Sequence, residues 1–322
     1  MNSALLKGRS LLTWLNYSPE EIRVFLEACG KAKADSRKMA KRPRYRGKTM
    51  LVVGRGDSFF YRLAFENEFL REGGAVLSLQ DDVSVGSAGL SWEDTARGLE
   101  GGCDLLLAQG IPHAAMEMMA KVASGFPICN LQSEQYSPVQ ALNIYFSAEE
   151  LLRDTKGKRL VFVGDGRSPL SNSLMILCAK MGLDYTLVSP LERWPASSFK
   201  QVADSLAKTS GASLDVTAEP QAGVRGADVV VSAPWTSERP GVASGSAAGG
   251  GLAVSGPGRE RYVVDGALMA ATGNSGCIFF CDIPCARGAT VAEGIPESPQ
   301  SHVFQLARNK NAVVRAIFRV IL

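Results

Sequence analysis

Histidine, long apolar runs and an excess of one charge are all scarce or missing in this chain. His113 and His302 are the only histidines, and surface or loop roles are predicted for both. No apolar run approaches the roughly 20 residues that a membrane helix requires. The net charge is only +3, which is no footprint of nucleic-acid binding. We therefore expect no nucleic-acid partner and no membrane insertion.

Cysteine is present, but without the paired spacing that indicates a disulfide framework. The seven cysteines therefore favour a reducing, intracellular setting. Residues 1–18 contain Lys7 and Arg9 but no acidic residue, a weak likeness to a transit peptide, but we favour a structural role for this segment. We expect an intracellular soluble protein of the mitochondrial matrix or the cytoplasm.

Cys277, Cys281 and Cys285 are evenly spaced and raise the question of a metal site. Residues four apart in a strand point to the same face, but no fourth cysteine or suitably placed histidine lies nearby. Buried small thiols are therefore predicted. Neither a metal nor a cofactor is predicted.

Apolar runs of strand length alternate with segments of helical periodicity. Strands are predicted at residues 50–53, 75–79, 104–108, 127–129, 160–163, 185–188, 228–232 and 277–280. This alternation is typical of parallel sheets covered by helices on both faces. With 46% hydrophobic residues, 322 residues suffice for two such α/β domains.

Three helices have clear sequence signals. Ser18-Pro19-Glu20-Glu21 has the form of a capping box with proline in the first turn. A long helix is predicted over residues 139–152. Residues 311–322 form an amphipathic pattern whose apolar side holds Val313, Val314, Ile317, Phe318 and Ile321.

Short motifs also follow one another in a characteristic order. They are Leu6-Lys7-Gly8-Arg9-Ser10-Leu11-Leu12-Thr13, Asp94-Thr95-Ala96-Arg97, Tyr136-Ser137-Pro138-Val139-Gln140, Gly164-Asp165-Gly166 and Trp235-Thr236-Ser237. In this order and spacing the chain resembles the aspartate/ornithine carbamoyltransferases, most closely ornithine carbamoyltransferase, over nearly its whole length. No single motif carries the resemblance.

The resemblance implies an α/β fold of two doubly wound parallel-sheet domains joined by interdomain helices. Residues 1–140 would form a carbamoyl-phosphate-type domain, onto which a C-terminal helix at 306–322 packs back. Residues 141–305 would form an ornithine/aspartate-type domain. The two are expected to meet near residues 138–152.

The implied carbamoyl-phosphate site has lost most of its charge. The family loop Ser-Thr-Arg-Thr-Arg reads Ser58-Phe59-Phe60-Tyr61-Arg62, so a phenyl ring replaces the guanidinium that grips the phosphate. The family arginine that polarises the carbamoyl carbonyl falls at Gln109, and the His-Pro-x-Gln element reads Ser137-Pro138-Val139-Gln140. The resemblance thus implies a vestigial site at Ser58, Phe60, Arg62, Gln109, Ser137 and Gln140, with Ser58 as the N-cap of a helix.

The implied amino-acid site is altered in the same way. The family aspartate that takes the ornithine amine aligns with Ala233, and the Ser-Met-Gly element with Ser237-Glu238-Arg239. The His-Cys-Leu-Pro-Arg element reads Cys281-Asp282-Ile283-Pro284-Cys285. A vestigial site is implied at Ala233, Ser237, Asp282 and Cys285. Residues 240–258, rich in Gly, Ala and Ser, are predicted to be a flexible loop.

These losses predict a catalytically inactive family member, a pseudoenzyme with no catalytic residue. Removing one preorganised donor costs roughly 10²–10³ in rate, and several are replaced here. A structural or interaction role is predicted, as a homo-oligomer, the family's trimer, or as a subunit of a heteromeric complex with protein partners.

Two alternatives stay open. One is an enzyme or binder of altered specificity, in which Arg62, Gln109, Gln140, Asp282 and the loop at Arg167-Ser168 hold a less anionic ligand. The other is an active ornithine carbamoyltransferase with compensating residues.

Overall fold

The computed structural model describes residues 3–35, 43–54, 56, 58–79, 91–235 and 258–322. The chain divides into two compact units: the first unit comprises Met1–Leu142 and Asn309–Leu322, and the second unit Asn143–Arg308. Ser237 and all but Gly258 of the predicted flexible loop lie outside the described residues. How the two domains meet stays a prediction.

The first unit is built on a four-stranded parallel sheet in the order β2-β1-β3-β4. Its strands are β1 Thr49–Val53, β2 Ala75–Leu79, β3 Leu105–Gln109 and β4 Ile128–Gln132. The helices in this part of the chain are α1 Pro19–Ala34, α2 Phe59–Arg71, α3 Trp92–Leu99, α4 His113–Val122 and α5 Pro138–Leu152. Strand β3 is buried along its whole length and is apolar up to Gln109, as expected where helices cover both faces.

The second unit contains a five-stranded parallel sheet in the order β7-β6-β5-β8-β9. Its strands are β5 Arg159–Val163, β6 Asp184–Val188, β7 Leu214–Thr217, β8 Val229–Ser232 and β9 Ile278–Cys281. The helices that follow α5 are α6 Pro169–Met181, α7 Ser197–Ser210, α8 Pro220–Gly223, α9 Gly266–Ala271 and α10 Val303–Ile321. Strand order reverses at β5, which has β6 on one side and β8 on the other. The prediction of two doubly wound α/β domains is confirmed.

Short 3₁₀ helices complete the described secondary structure, at Ser3–Leu6, Trp14–Asn16, Leu191–Arg193, Arg259–Tyr262 and Ile295–Glu297. Within the described residues, no helix is long and apolar enough to cross a membrane.

Helix α1 begins with the predicted capping box. The Ser18 hydroxyl accepts from the Glu21 amide at 3.2 Å, and the Glu21 carboxylate accepts from the Ser18 amide at 2.8 Å. The helix then buries Phe25 against Trp14, with ring centroids 5.4 Å apart. Local sequence alone therefore fixes where this helix starts.

Helix α10 begins at Val303, eight residues before the amphipathic pattern at 311 and three before the start at 306 that the resemblance implies. Its C-terminal half packs in the first unit, where the Phe318 ring lies 5.3 Å from both Phe65 and Phe69 of α2. All five predicted apolar residues of this helix are buried. Arg308, Asn309 and Lys310 are polar, so the apolar periodicity that predicts the helix is visible only after them.

Candidate functional site

In the first unit, the loop between β1 and α2 lies directly on the end of β3. Gly54 has a positive φ of +88°, and a Cβ there would collide with the carbonyl oxygen of Gln109. A Cβ on Gly56 would come within 2.7 Å of the Gln109 amide nitrogen. Gly54 therefore requires glycine, whereas a side chain at Gly56 would force the Gln109 side chain to move.

Ser58 lies at the N-cap position of α2, but its side chain makes no cap hydrogen bond. Its hydroxyl donates instead to Oε1 of Gln132 at the end of β4, at 2.5 Å. The first-turn amides of α2 are therefore not capped by Ser58. Together with the positive end of the helix dipole, they leave this helix start suited to an electron-rich oxygen.

Phe60 is 37% exposed in the first turn of α2, and the ammonium of Lys310 lies over its ring at 5.1 Å from the centroid. The same ammonium lies 4.6 Å from the centroid of Tyr61. Lys310 is only 5% exposed, so a buried cation on α10 covers two aromatic faces. Sequence reasoning missed Lys310 because its partners Phe60 and Tyr61 lie on a distant part of the chain.

Gln109 is the buried polar group that this site leaves unsatisfied. It ends β3, where the pairing with β4 shifts register after Ala108, and it is 1% exposed. Within the described part of the chain, its Nε2 has no hydrogen-bond partner. A buried donor without an acceptor costs about 1–3 kcal/mol, so an oxygen acceptor placed here would be stabilised.

The other predicted carbamoyl-phosphate residues are held by local contacts. Arg62 forms an ion pair with Glu66 at 2.8 Å and also donates to Ser78 of β2. Ser137 donates to Gln140 across the start of α5 at 3.1 Å. The structure therefore joins Gly56 with Gln109 and Ser137 with Gln140, while the Arg62 guanidinium is committed to its neighbours.

In the second unit, the predicted amino-acid residues follow the ends of β8 and β9. Ala233 is buried after β8 and provides no charge, and Asp282 is buried directly after β9. Cys281 is buried and donates to the carbonyl oxygen of Asp282 at 3.5 Å, whereas Cys285 is partly exposed. The prediction of buried thiols is confirmed for Cys277 and Cys281, and Cys285 is the more accessible of the three.

The polar loop after β5 forms hydrogen bonds that stabilise the start of α6. Ser168 caps α6 by accepting from the Ser171 amide at 3.2 Å. The Arg167 amide donates to Asp165 at 2.9 Å, and its guanidinium donates to the carbonyl of Trp194 at 3.0 Å. These contacts place Arg167 and Ser168 in structural roles.

The surface or loop role predicted for His113 is wrong. It is the first residue of α4, and its buried ring lies 4.7 Å from that of Tyr136, with Nδ1 at 3.4 Å from the Ser133 hydroxyl. Burial lowers the pKa of His113, and the nearby carboxylates of Glu117 and Glu134 oppose that shift. Ser133 and Tyr136 lie about twenty positions away in sequence, so no local signal revealed these contacts.

Metal chemistry has no visible support in the described ranges. No group of three or more His, Cys, Asp and Glu side chains there is arranged to hold a metal ion. The chemistry that the described side chains offer is hydrogen bonding from amides and hydroxyls, together with the thiols after β9.

Comparisons with known proteins confirm the resemblance carried by the motifs. The family model for the aspartate/ornithine carbamoyltransferase carbamoyl-P binding domain matches residues 9–150, and the model for the Asp/Orn binding domain matches residues 156–321. The ornithine carbamoyltransferase of Caldanaerobacter subterraneus subsp. tengcongensis is 36% identical over 97% of both chains. That of Pseudothermotoga lettingae is also 36% identical over 97% of both. The solved ornithine carbamoyltransferase from Pyrococcus furiosus superposes with a TM-score of 0.87 and 28% identity, covering 98% of this chain and 97% of the other.

Proposed function

The chain belongs to the aspartate/ornithine carbamoyltransferase family, and from this premise we propose that it is an inactive member that acts through its surface. The observation that carries the proposal is the Phe60–Lys310 contact. Where the resemblance implies a phosphate-gripping guanidinium, an aromatic ring instead receives a buried ammonium from α10.

The polar groups around Phe60 do not replace the missing charge. Arg62 is paired with Glu66, and moving its guanidinium to a phosphate would break that pair. Gln109 offers one neutral donor. One preorganised donor is worth roughly 10²–10³ in rate. A neutral amide and a hydroxyl therefore cannot supply most of the rate acceleration that carbamoyl transfer requires.

An exposed apolar surface on the first unit supports an interaction role. Of the ten large hydrophobic side chains that are exposed in the described residues, six lie between residues 59 and 79: Phe59, Phe60, Leu63, Leu70, Leu77 and Leu79. They belong to α2 and β2, and β2 is an edge strand. Exposed apolar edges favour association, so this α2–β2 surface is our proposed contact for a homotrimer or a protein complex. The mitochondrial matrix and the cytoplasm both stay predicted compartments.

The association state tests this role directly. We expect native mass spectrometry and affinity purification to find a homotrimer or a stable complex, and Leu63→Lys combined with Leu77→Lys to release monomers. Leu191→Lys, at an exposed leucine of the second unit, is the matched control and should leave the assembly intact. A wild-type protein that is a free monomer without partners would contradict the proposal.

A second candidate is an active ornithine carbamoyltransferase, and the names of the relatives favour it over inactivity. Two proteins with that name are 36% identical to the chain over nearly its whole length. The deciding experiment is citrulline formation from carbamoyl phosphate and ornithine. We expect citrulline to form only at the uncatalysed rate, the rate measured without protein. Turnover that disappears in Gln109→Ala would establish the second candidate instead.

Among the described residues the Nε2 of Gln109 has no hydrogen-bond partner, and this favours the predicted alternative of altered specificity. A ligand with a neutral carbonyl oxygen would satisfy that donor without needing the lost guanidinium. A thermal-shift comparison of carbamoyl phosphate, inorganic phosphate and neutral carbamoyl compounds tests this alternative. Stabilisation by a neutral compound that is lost in Gln109→Leu would support it.

A further inference from the structure

Two thiols of unequal exposure lie together at the carboxyl end of β9. Cys281 is the last residue of that strand and is fully buried in an apolar cluster with Phe279 and Val291. Cys285 packs on the same cluster but is partly exposed. The Cys281 thiol donates to the carbonyl oxygen of Asp282 at 3.5 Å, and its side chain is close enough to the Cys285 thiol for the two to influence each other's pKa.

The surroundings of Cys285 lower its pKa. The largest cause is a hydrogen bond from the Cys281 thiol to the Cys285 thiolate, burial opposes it, and the positive charge of Arg287 acts in the same direction as the hydrogen bond. Asp282 and Glu297 oppose it, although Glu297 is itself paired with the Arg287 guanidinium at 2.9 Å. The pKa of Cys281 is raised well above its usual value.

The remaining cysteines have a different environment. Cys29, Cys103, Cys129, Cys178 and Cys277 are all buried. Burial raises the pKa of Cys103 to about 11 and that of Cys277 to about 12. Thiols that are buried and protonated react slowly. The buried cysteines therefore serve as internal controls for the reactivity of Cys285.

We propose that Cys285 and Cys281 form a thiol–disulfide exchange site for low-molecular-weight disulfides. The Cys285 thiolate attacks one sulfur of the small disulfide, forms a mixed disulfide and releases one thiolate. Cys281 then loses its proton and attacks the Cys285 sulfur, which expels the second small thiolate. The two protein thiols are oxidised to one disulfide, and the small disulfide is reduced to two thiols.

The difference in exposure divides the two roles. Cys285 is accessible to an incoming disulfide, whereas Cys281 is shielded from solvent beside it. Asp282 and Cys285 occupy the implied amino-acid site, so oxidation would constrain the turn that carries both. The exchange chemistry itself does not depend on the proposed function, because none of its steps uses the first unit.

The test follows the native protein with 5,5′-dithiobis(2-nitrobenzoic acid). We expect a fast phase that releases two thionitrobenzoates per chain, leaves no adduct and removes two hydrogens from the mass. Cys281→Ser should release one and retain one adduct, on Cys285. Cys285→Ser should slow the fast phase roughly tenfold or more, while the matched control Cys277→Ser should leave it unchanged.

A measurement on the unaltered chain keeps the test independent of variant folding. Brief iodoacetamide treatment followed by peptide mapping should label Cys285 before any other cysteine, and the labelled protein should no longer give the fast phase. A fast phase that persists in Cys285→Ser would overturn the proposal. So would a wild-type protein that retains its adduct while Cys281 stays reduced.

Discussion

The contact between Phe60 and Lys310 determines which side chains position 60 tolerates. The Phe60 ring presents its negative face to the buried ammonium of Lys310, and such contacts contribute about 0.5–2 kcal/mol. An arginine at position 60 would place a second cation beside that ammonium. Restoring the family residue at this position therefore conflicts with what surrounds it.

We expect Phe60→Arg to leave citrulline formation at the rate found without protein and to lower the melting temperature. Gln109, Ser137 and Cys285 would still lack the family's charges and imidazole, and the new guanidinium would repel Lys310. Combining Phe60→Arg with Lys310→Met should recover stability, because the second change removes the like charge. Calorimetry that finds micromolar carbamoyl phosphate binding to the wild type would contradict this view of the site.

His113 makes stability depend on pH. Burial lowers its pKa in the folded protein below the ordinary value of 6.5, so the unfolded chain binds the proton more readily. The free energy of unfolding should therefore fall as pH decreases below about 6.5, and the loss should be complete below the folded pKa. Urea unfolding between about pH 8 and pH 5 measures it.

His113→Gln should flatten this pH dependence, because it removes the titrating ring. His302→Gln is the matched control, since the chain has only these two histidines, and it should retain the wild-type dependence. An unchanged pH profile in His113→Gln would assign the effect to other groups.

Among the elements, α1 offers the most direct test of a local signal. Ser18→Ala removes the acceptor of the Glu21 amide and should lower the free energy of unfolding by about 1 kcal/mol, whereas Ser18→Gly should cost only a few tenths. Denaturant unfolding of the three proteins measures both effects. Equal losses for the two substitutions would argue against a capping role.

Elements with continuous apolar runs or local caps could be predicted from sequence, and those defined by distant partners could not. Strands β1, β5 and β8 are short apolar runs and lie where expected. Strand β7 was missed because Leu214–Thr217 is only partly buried at a sheet edge and therefore carries few apolar residues.

The candidate site was less predictable for the same physical reason. Sequence reasoning placed Ser58 before a helix, which is correct, but its hydroxyl contacts Gln132, 74 positions away. Lys310 reaches Phe60 only because the chain returns to the first unit. Such contacts depend on tertiary packing and have no local pattern.

At the scale of the whole molecule, the first unit is assembled from two distant parts of the chain. Residues 309–322 return to it after the second unit. Arg315 pairs with the buried Glu68 of α2 at 3.6 Å, and Phe318 packs on Tyr45 with ring centroids 5.6 Å apart. The returning helix therefore supplies core residues to the first unit.

Phe318→Ala should destabilise the first unit by about 3–5 kcal/mol, because it leaves a cavity among buried aromatic rings. Hydrogen exchange should then show lost protection in β1 and α2. The control is Phe304→Ala, at an exposed phenylalanine of the same helix, which should change stability by less than about 0.5 kcal/mol. Similar effects of the two substitutions would mean that Phe318 does not anchor the helix.

This chain order has a consequence during translation. The first unit starts to be synthesised before the second unit, but it is completed after it. Its first strand ends at Val53, and its remaining segment begins only at Asn309. At about 5–20 residues per second, the ribosome needs on the order of 10–50 s to synthesise the intervening residues. During that interval Phe65 and Phe69 of α2 lack their ring contacts with Phe318.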